Sequence, residues 1–199
     1  MTEVTTRRRA GEARARLLDA AVTYVSDHGM GDLSLRALAR ALGTSHRMLI
    51  YHFGSKEELL VEVIKAVEER QREALAALDD DGSRSQAELT RAMWRRFTDP
   101  SLAANERLFF EVYGQALQGR PHTAHLLDGI VDSWIEPAVE IARRHGIAPD
   151  VARIDARLAV AVTRGLLLDL LATGDRAAVD AAMERFIALE EQDASLRKR

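Results

Sequence analysis

Between residues 45 and 60 the chain reads SHRMLIYHFGSKEELL. Ser45, His46 and Arg47 come first, Tyr51 and His52 follow, and Lys56 closes the polar set. The chemistry such groups can do is recognition of a polyanion. A guanidinium offers two parallel donors to a guanine edge, and an imidazole donates or accepts there. Hydroxyl, imidazole and ammonium groups at Thr44, Tyr51, His52 and Lys56 suit phosphate oxygens. A core-facing helix would keep Phe53 but would not by preference set Tyr51 and His52 beside it. Tyr51 and His52 are therefore read as outward anchors and Phe53 as turned inward.

These side chains need helices to aim them. Leu17, Leu18, Ala21, Val22 and Val25 recur at helical spacing and predict a first helix over about 10–29, ended by Gly29 and the GMGD stretch. Ser34 is a good N-cap for a second helix carrying Leu35, Leu38, Ala39 and Leu42, which Gly43 closes. Thr44 or Ser45 can cap a third, short helix reaching about His52. Two short helices with a glycine at the corner make a helix-turn-helix. A reading helix presents its first turns to the major groove, which places Ser45, His46 and Arg47 at base edges. Arg36, near the start of the second helix, projects toward the groove edge. Leu38, Leu42, Leu49 and Phe53 form the small domain's core. Gly54 then breaks the chain, and Ser55 with Glu58 reads as a capping box for a long fourth helix to about Leu78. Its first amides, beside Lys56, offer a second phosphate site.

Charge is divided unevenly. Residues 1–56 carry a net +4 and the rest −7, within a total of −3. A basic first quarter on an acidic body fits local contact with a polyanion and argues against a helix-turn-helix used only for protein contact. The 199 residues are 47% hydrophobic and 30% charged, with 4 prolines and no cysteine, so a helical globular chain is expected without disulfides or thiolate metal sites. No apolar run approaches the ~20 residues a membrane span needs. The basic N-terminus lacks a signal peptide's apolar region, so a cytoplasmic location with no membrane partner is expected. A G-x-S-x-G elbow, an H-E-x-x-H pair, a P-loop and a G-x-G-x-x-G turn are all missing, so no enzyme and no cofactor are expected.

The stretch LSLRALARALGTSHRMLIYHFGSKEELL resembles the DNA-binding signature of TetR-family (tetracycline-repressor-like) transcriptional regulators. The likeness covers about residues 12–64. It implies an all-α chain of about nine helices, with an N-terminal three-helix helix-turn-helix domain and a larger helical-bundle domain for ligand binding and dimerisation. It implies a homodimer on a palindromic operator of double-stranded DNA, most often a repressor, released when a small-molecule effector binds. The expected boundaries are 10–56 for the DNA-binding domain, with helix 55–78 connecting, and 57–192 for the second domain. Residues 1–9 and 193–199 are expected to be flexible tails. Where the family commonly carries an aromatic, this chain has Ile50, which shifts anchoring onto Tyr51 and His52. Met48 is less polar than many counterparts and suits a thymine methyl.

Beyond the DDDGSRS linker at 79–85, helices are expected near 86–97, 101–118, 123–145, 150–173 and 175–192. Pro137 should kink or divide the third of these. Large apolar side chains at helical spacing are core by default. Those with polar handles suit a pocket, which makes Trp94, Phe97, Phe110, Tyr113 and Trp134 the ligand-binding candidates, with Gln115, His125 and Arg164 behind them. His122, His125 and Asp128 share a face but lack a fourth ligand, and are read as a polar helix start rather than a metal site. The last two helices are apolar nearly all round. Leu158, Val162, Leu166, Leu170, Met183, Phe186 and Ile187 are expected to form a two-fold, four-helix dimer interface.

Overall fold

Serine and glycine punctuation builds the first part of the chain. The computed structural model describes residues 2–29, 34–78, 83–144 and 146–197. Helix α1 spans Thr2–His28, α2 Leu35–Ala41, α3 His46–Phe53 and α4 Lys56–Leu78. Ser34 Oγ accepts from Ala37 N at 3.2 Å and Ser45 Oγ accepts from Met48 N at 3.2 Å, so each serine satisfies an otherwise orphaned amide of α2 or α3. Between them Gly43 turns the chain at φ +62°, a left-handed conformation costly to residues with a Cβ.

A tighter corner follows α3. Gly54 sits at φ 81°, ψ −65°, and Ser55 N donates to Phe53 O at 3.0 Å. That is a γ-turn with positive φ, a strained form glycine tolerates best. It lets α4 begin only two residues after α3 ends. Ser55 Oγ accepts from Glu58 N at 3.0 Å, which is half of the expected capping box.

The remaining helices are α5 Gln86–Phe97, α6 Ala103–Leu117, α7 Asp132–Arg144, α8 Pro149–Thr173 and α9 Arg176–Arg197, with 3₁₀ turns at Pro100–Leu102 and Ala124–Leu126. The described residues thus hold nine α-helices and no strand, and the chain is all-α. No helix among them is long and apolar enough to cross a membrane.

Several boundaries differ from expectation. Helix α1 starts at Thr2 rather than near Ala10, because nothing in TEVTTRRRA breaks a helix and Arg8 pairs with Glu12 one turn on at 3.4 Å. Likewise α9 runs on to Arg197. Helix α7 starts at Asp132, not near 123, since turns and a 3₁₀ turn occupy 121–131. Pro137 does not divide α7, whose buried Trp134, Ile135, Ile141 and Ala142 lie on both sides of it. Parts of the GMGD and DDDGSRS stretches (residues 30–32 and 79–82), and the terminal residues 198 and 199, lie outside the described residues.

The chain forms two compact units. Unit one is residues 1–69 with 101–128, and unit two is 70–100 with 129–199. In unit one, Ala21, Val22 and Val25 of α1, Leu38 of α2, Leu49 and Phe53 of α3, and Leu59, Val63 and Ile64 of α4 are buried. Leu108, Phe109 and Val112 of α6 are buried as well. Leu42, expected in this core, is the half-buried C-cap of α2. Ser26 on α1 and Asn105 on α6 are joined at 2.9 Å, which satisfies the buried amide.

In unit two, Leu75, Leu89, Met93, Trp134 and Ile141 form a core cluster, with Leu78, Phe97 and Val160 against it. A fully buried side chain of this size stabilises by about 1.5–3 kcal/mol.

Candidate nucleic-acid interface

Helix α3 has two unlike faces. Leu49 and Phe53 are 1% and 6% exposed, whereas His46, Arg47, Met48, Ile50 and Tyr51 are exposed, Tyr51 at 72%. The inward pair anchors the helix, and the outward set is held on a short rigid element. Ser45 is the N-cap, so His46 and Arg47 occupy the first helical turn. Arg36 is exposed on the first turn of α2, and Thr44 is half-buried in the corner, its N–H donating to Ala39 O at 2.9 Å.

His52 fits the outward reading less well than Tyr51. It is half-buried, its Nε2 is enclosed without a hydrogen-bond partner among the described residues, and its ring meets Tyr51 edge-on at 5.0 Å. Lys56 is half-buried at the start of α4. The amides there are partly committed, since Glu58 N already donates to Ser55, and Glu57 and Glu58 share that turn. An anion at this second site therefore meets two carboxylates as well as Lys56.

A side chain that local sequence does not single out holds the far end of α3. Arg14 on α1 donates from Nε to His52 O at 3.3 Å and from Nη2 to Glu62 Oε2 on α4 at 2.8 Å. Its guanidinium lies 5.0 Å from the centre of the Phe53 ring. Residues 14, 52 and 62 are too far apart in sequence for any pattern to pair them. Glu58 makes another long-range link, its Oε1 3.4 Å from Nδ1 of His122.

The expected ligand-binding residues are divided between the two units. Phe110 and Tyr113 belong to unit one, where Tyr113 stacks on Phe109 at 5.3 Å and Phe110 meets Phe109 edge-on. Trp94, Phe97 and Trp134 belong to unit two. Phe97 and Trp134 pack edge-to-face at 5.4 Å, with the Arg72 guanidinium 5.7 Å from the Trp134 ring. The handle expected of Trp94 is engaged internally, since Nε1 donates to Asp180 Oδ1 at 2.6 Å. Arg164 likewise donates to Ile130 O at 3.1 Å. A narrow pocket in unit one is lined by Ile64, Val67, Glu68, Asn105, Glu106, Leu108 and Phe109, and none of the five candidates lines it. No metal-holding group occurs among the described residues.

On α8 and α9 the outward residues also differ from those expected. Met183 and Ile187 are 1% exposed, so they are core within the protomer, on the same face of α9 as buried Val179. Val162, Leu166, Leu170 and Phe186 are half-buried, and Leu158 is 51% exposed. With Leu158, the exposed residues Ile154, Ala161, Gly165 and Leu168 recur every three or four positions along α8, and Leu189 and Leu196 stand exposed on α9. Sequence periodicity shows that both helices are apolar but not which side the protomer covers.

A capped pair of short helices joined at Gly43, with exposed Arg47 on the second, makes a helix-turn-helix. Residues 17–63 match the family model described as bacterial regulatory proteins, tetR family. The HTH-type transcriptional regulator BetI of Pseudomonas paraeruginosa is 28% identical over 189 residues, covering 93% of each chain. Among solved structures, a TetR transcriptional regulator from Legionella pneumophila aligns with TM-score 0.67 at 19% identity, covering 88% of this chain and 95% of that one. A transcriptional regulator from Saccharomonospora viridis in complex with choline aligns with TM-score 0.63 at 22% identity, covering 89% and 94%. Residues 17–63 thus match the tetR family's DNA-binding region, and over its length the chain is similar to HTH-type transcriptional regulators.

Proposed function

We propose that the chain is a cytoplasmic, homodimeric repressor that reads a palindromic operator and leaves it when a small molecule binds. The observation that carries the reading is the two-faced α3, with Leu49 and Phe53 buried and Arg47, His46 and Tyr51 exposed. On this reading residues 10–56 are the DNA-reading segment, and 57–192 supply effector binding and dimerisation. Ser45, His46 and Arg47 read base edges, Arg47 a guanine. Arg36, Thr44, Tyr51, His52 and Lys56 hold the phosphate backbone and groove edge.

Dimerisation is supported by the apolar stripe of Ile154, Leu158, Ala161 and Leu168 on α8, with Leu189 and Leu196 on α9. Two copies joined there would bury these side chains, as the half-buried Val162, Leu166, Leu170 and Phe186 would be further covered. Two α3 helices about 34–36 Å apart would then meet successive major grooves. The effector must bind the DNA-free conformation better than the DNA-bound one, and a coupling of about 1–3 kcal/mol suffices. Choline, held by one structural neighbour, is the first probe to try. Trp94, Phe97 and Trp134 in unit two, and Phe110 and Tyr113 in unit one, are the residues proposed to contact an effector.

The test is selection from a randomised duplex pool. Enrichment of an inverted repeat that resists random competitor supports the reading, whereas no enriched sequence refutes it.

A further inference from the structure

We propose that Arg14 is a positioning residue for the reading helix, fixing the C-terminal end of α3 through His52 O and Glu62 rather than touching DNA. This rests on the reading of α3 as the helix that enters the groove.

The last carbonyls of any helix lack partners within it, and the helix dipole leaves that end partially negative. In α3, Ile50 O receives Gly54 N and Phe53 O receives Ser55 N. His52 O instead receives Arg14 Nε at 3.3 Å, from a different helix. The same guanidinium gives Nη2 to Glu62 Oε2 at 2.8 Å and lies 5.0 Å from the Phe53 ring centre. One side chain thus ties α1 to the end of α3 and to α4. Its planar fork can serve a carbonyl and a carboxylate at once, which an ammonium serves less well. At this end α3 has only Phe53 as a buried anchor, so its angle depends on such a tie.

The electrostatics point the same way. Arg14 adds to the basic first quarter by count, but its charge is matched by Glu62. A phosphate contact made by Arg14 would have to compete with that pair.

The experiment measures affinity for the duplex that the wild type selects from a randomised pool, and for a random-sequence duplex, across a salt series. Arg14→Gln is expected to weaken the selected duplex about tenfold and to leave the random duplex and the salt slope unchanged. Glu62→Gln is expected to weaken the selected duplex too, and the double variant to be no worse than Arg14→Gln alone. Arg14→Lys, which keeps the ion pair, is expected to recover part of the loss. Amide exchange, measured without DNA, should quicken in the last turn of α3 in Arg14→Gln while buried amides of α4 stay protected.

A fall in random-duplex affinity with a slope reduced by about one would make Arg14 a phosphate contact and overturn the proposal. A gain in selected-duplex affinity from Glu62→Gln would do the same. Should the wild type select no sequence, the functional reading fails, and the exchange measurement alone still decides whether Arg14 fixes α3.

Discussion

Trp94 Nε1 on α5 donates to Asp180 Oδ1 on α9 at 2.6 Å, across 86 positions of sequence. Asp180 Oδ2 also receives Arg176 Nε at 2.8 Å, and Arg176 Nη1 reaches Thr98 O at 2.7 Å. The carboxylate therefore joins the buried indole to the start of α9. Asp180→Ala should lower unfolding free energy by about 1–3 kcal/mol, because it strands a buried N–H. Asp180→Asn should cost less. Urea unfolding checks this, and an unchanged midpoint for Asp180→Ala would contradict it.

The corner between α2 and α3 depends on one backbone angle. A Cβ at Gly43 meets open space, so the cost of Gly43→Ala comes from φ +62° alone, about 1–2 kcal/mol. At Gly54 a Cβ would in addition collide with the Glu58 carboxylate. Gly54→Ala should therefore be the more costly in thermal unfolding unless the Glu58 side chain swings away.

Dimerisation and core packing should separate on the last two helices. Leu158→Glu is expected to give a folded monomer by sedimentation, with its circular dichroism spectrum kept. Met183→Ala should instead cost about 2–5 kcal/mol of stability, as for other buried Met-to-Ala changes. A dimer that survives Leu158→Glu at micromolar concentration would remove α8 from the interface.

The start of α5 carries a pH signature. Ser85 N donates to Glu88 Oε2 at 2.8 Å and Ser85 Oγ accepts from Glu88 N at 3.3 Å, a complete capping box. The Ser85 amide and hydroxyl hold the Glu88 carboxyl below the ordinary carboxylate range. A lowered folded value means the stabilisation is present above the unfolded value of about 4.3 and fades as pH falls through the folded one. Glu88→Gln should flatten that acid limb of the unfolding midpoint. An acid limb identical to that of the wild type would contradict this.

Local signals in the sequence foretold much of the first unit. Ser34 and Ser45 cap the two short helices, Gly43 and Gly54 turn between elements, and the alternation of Leu49 and Phe53 with polar neighbours orients α3. Long-range partners were not legible. Nothing near Arg14 announces Glu62, and nothing near Trp94 announces Asp180. On α9, apolar residues lie on more than one side, and only packing shows that Met183 and Ile187 face inward while Leu189 faces out. The full capping box stands at Ser85 and Glu88, while at Ser55 the Glu58 carboxylate lies 3.4 Å from His122.

The central claim is that the first turn of α3 reads bases. Its most direct test is the ratio of selected-duplex to random-duplex affinity for Arg47→Ala beside Lys56→Ala, measured across a salt series. Arg47→Ala should lose about 1–3 kcal/mol on the selected duplex and relax preference at one base position. Lys56→Ala should weaken both duplexes alike and reduce the salt slope by about one. Equal losses on both duplexes from both variants would mean that α3 does not read sequence.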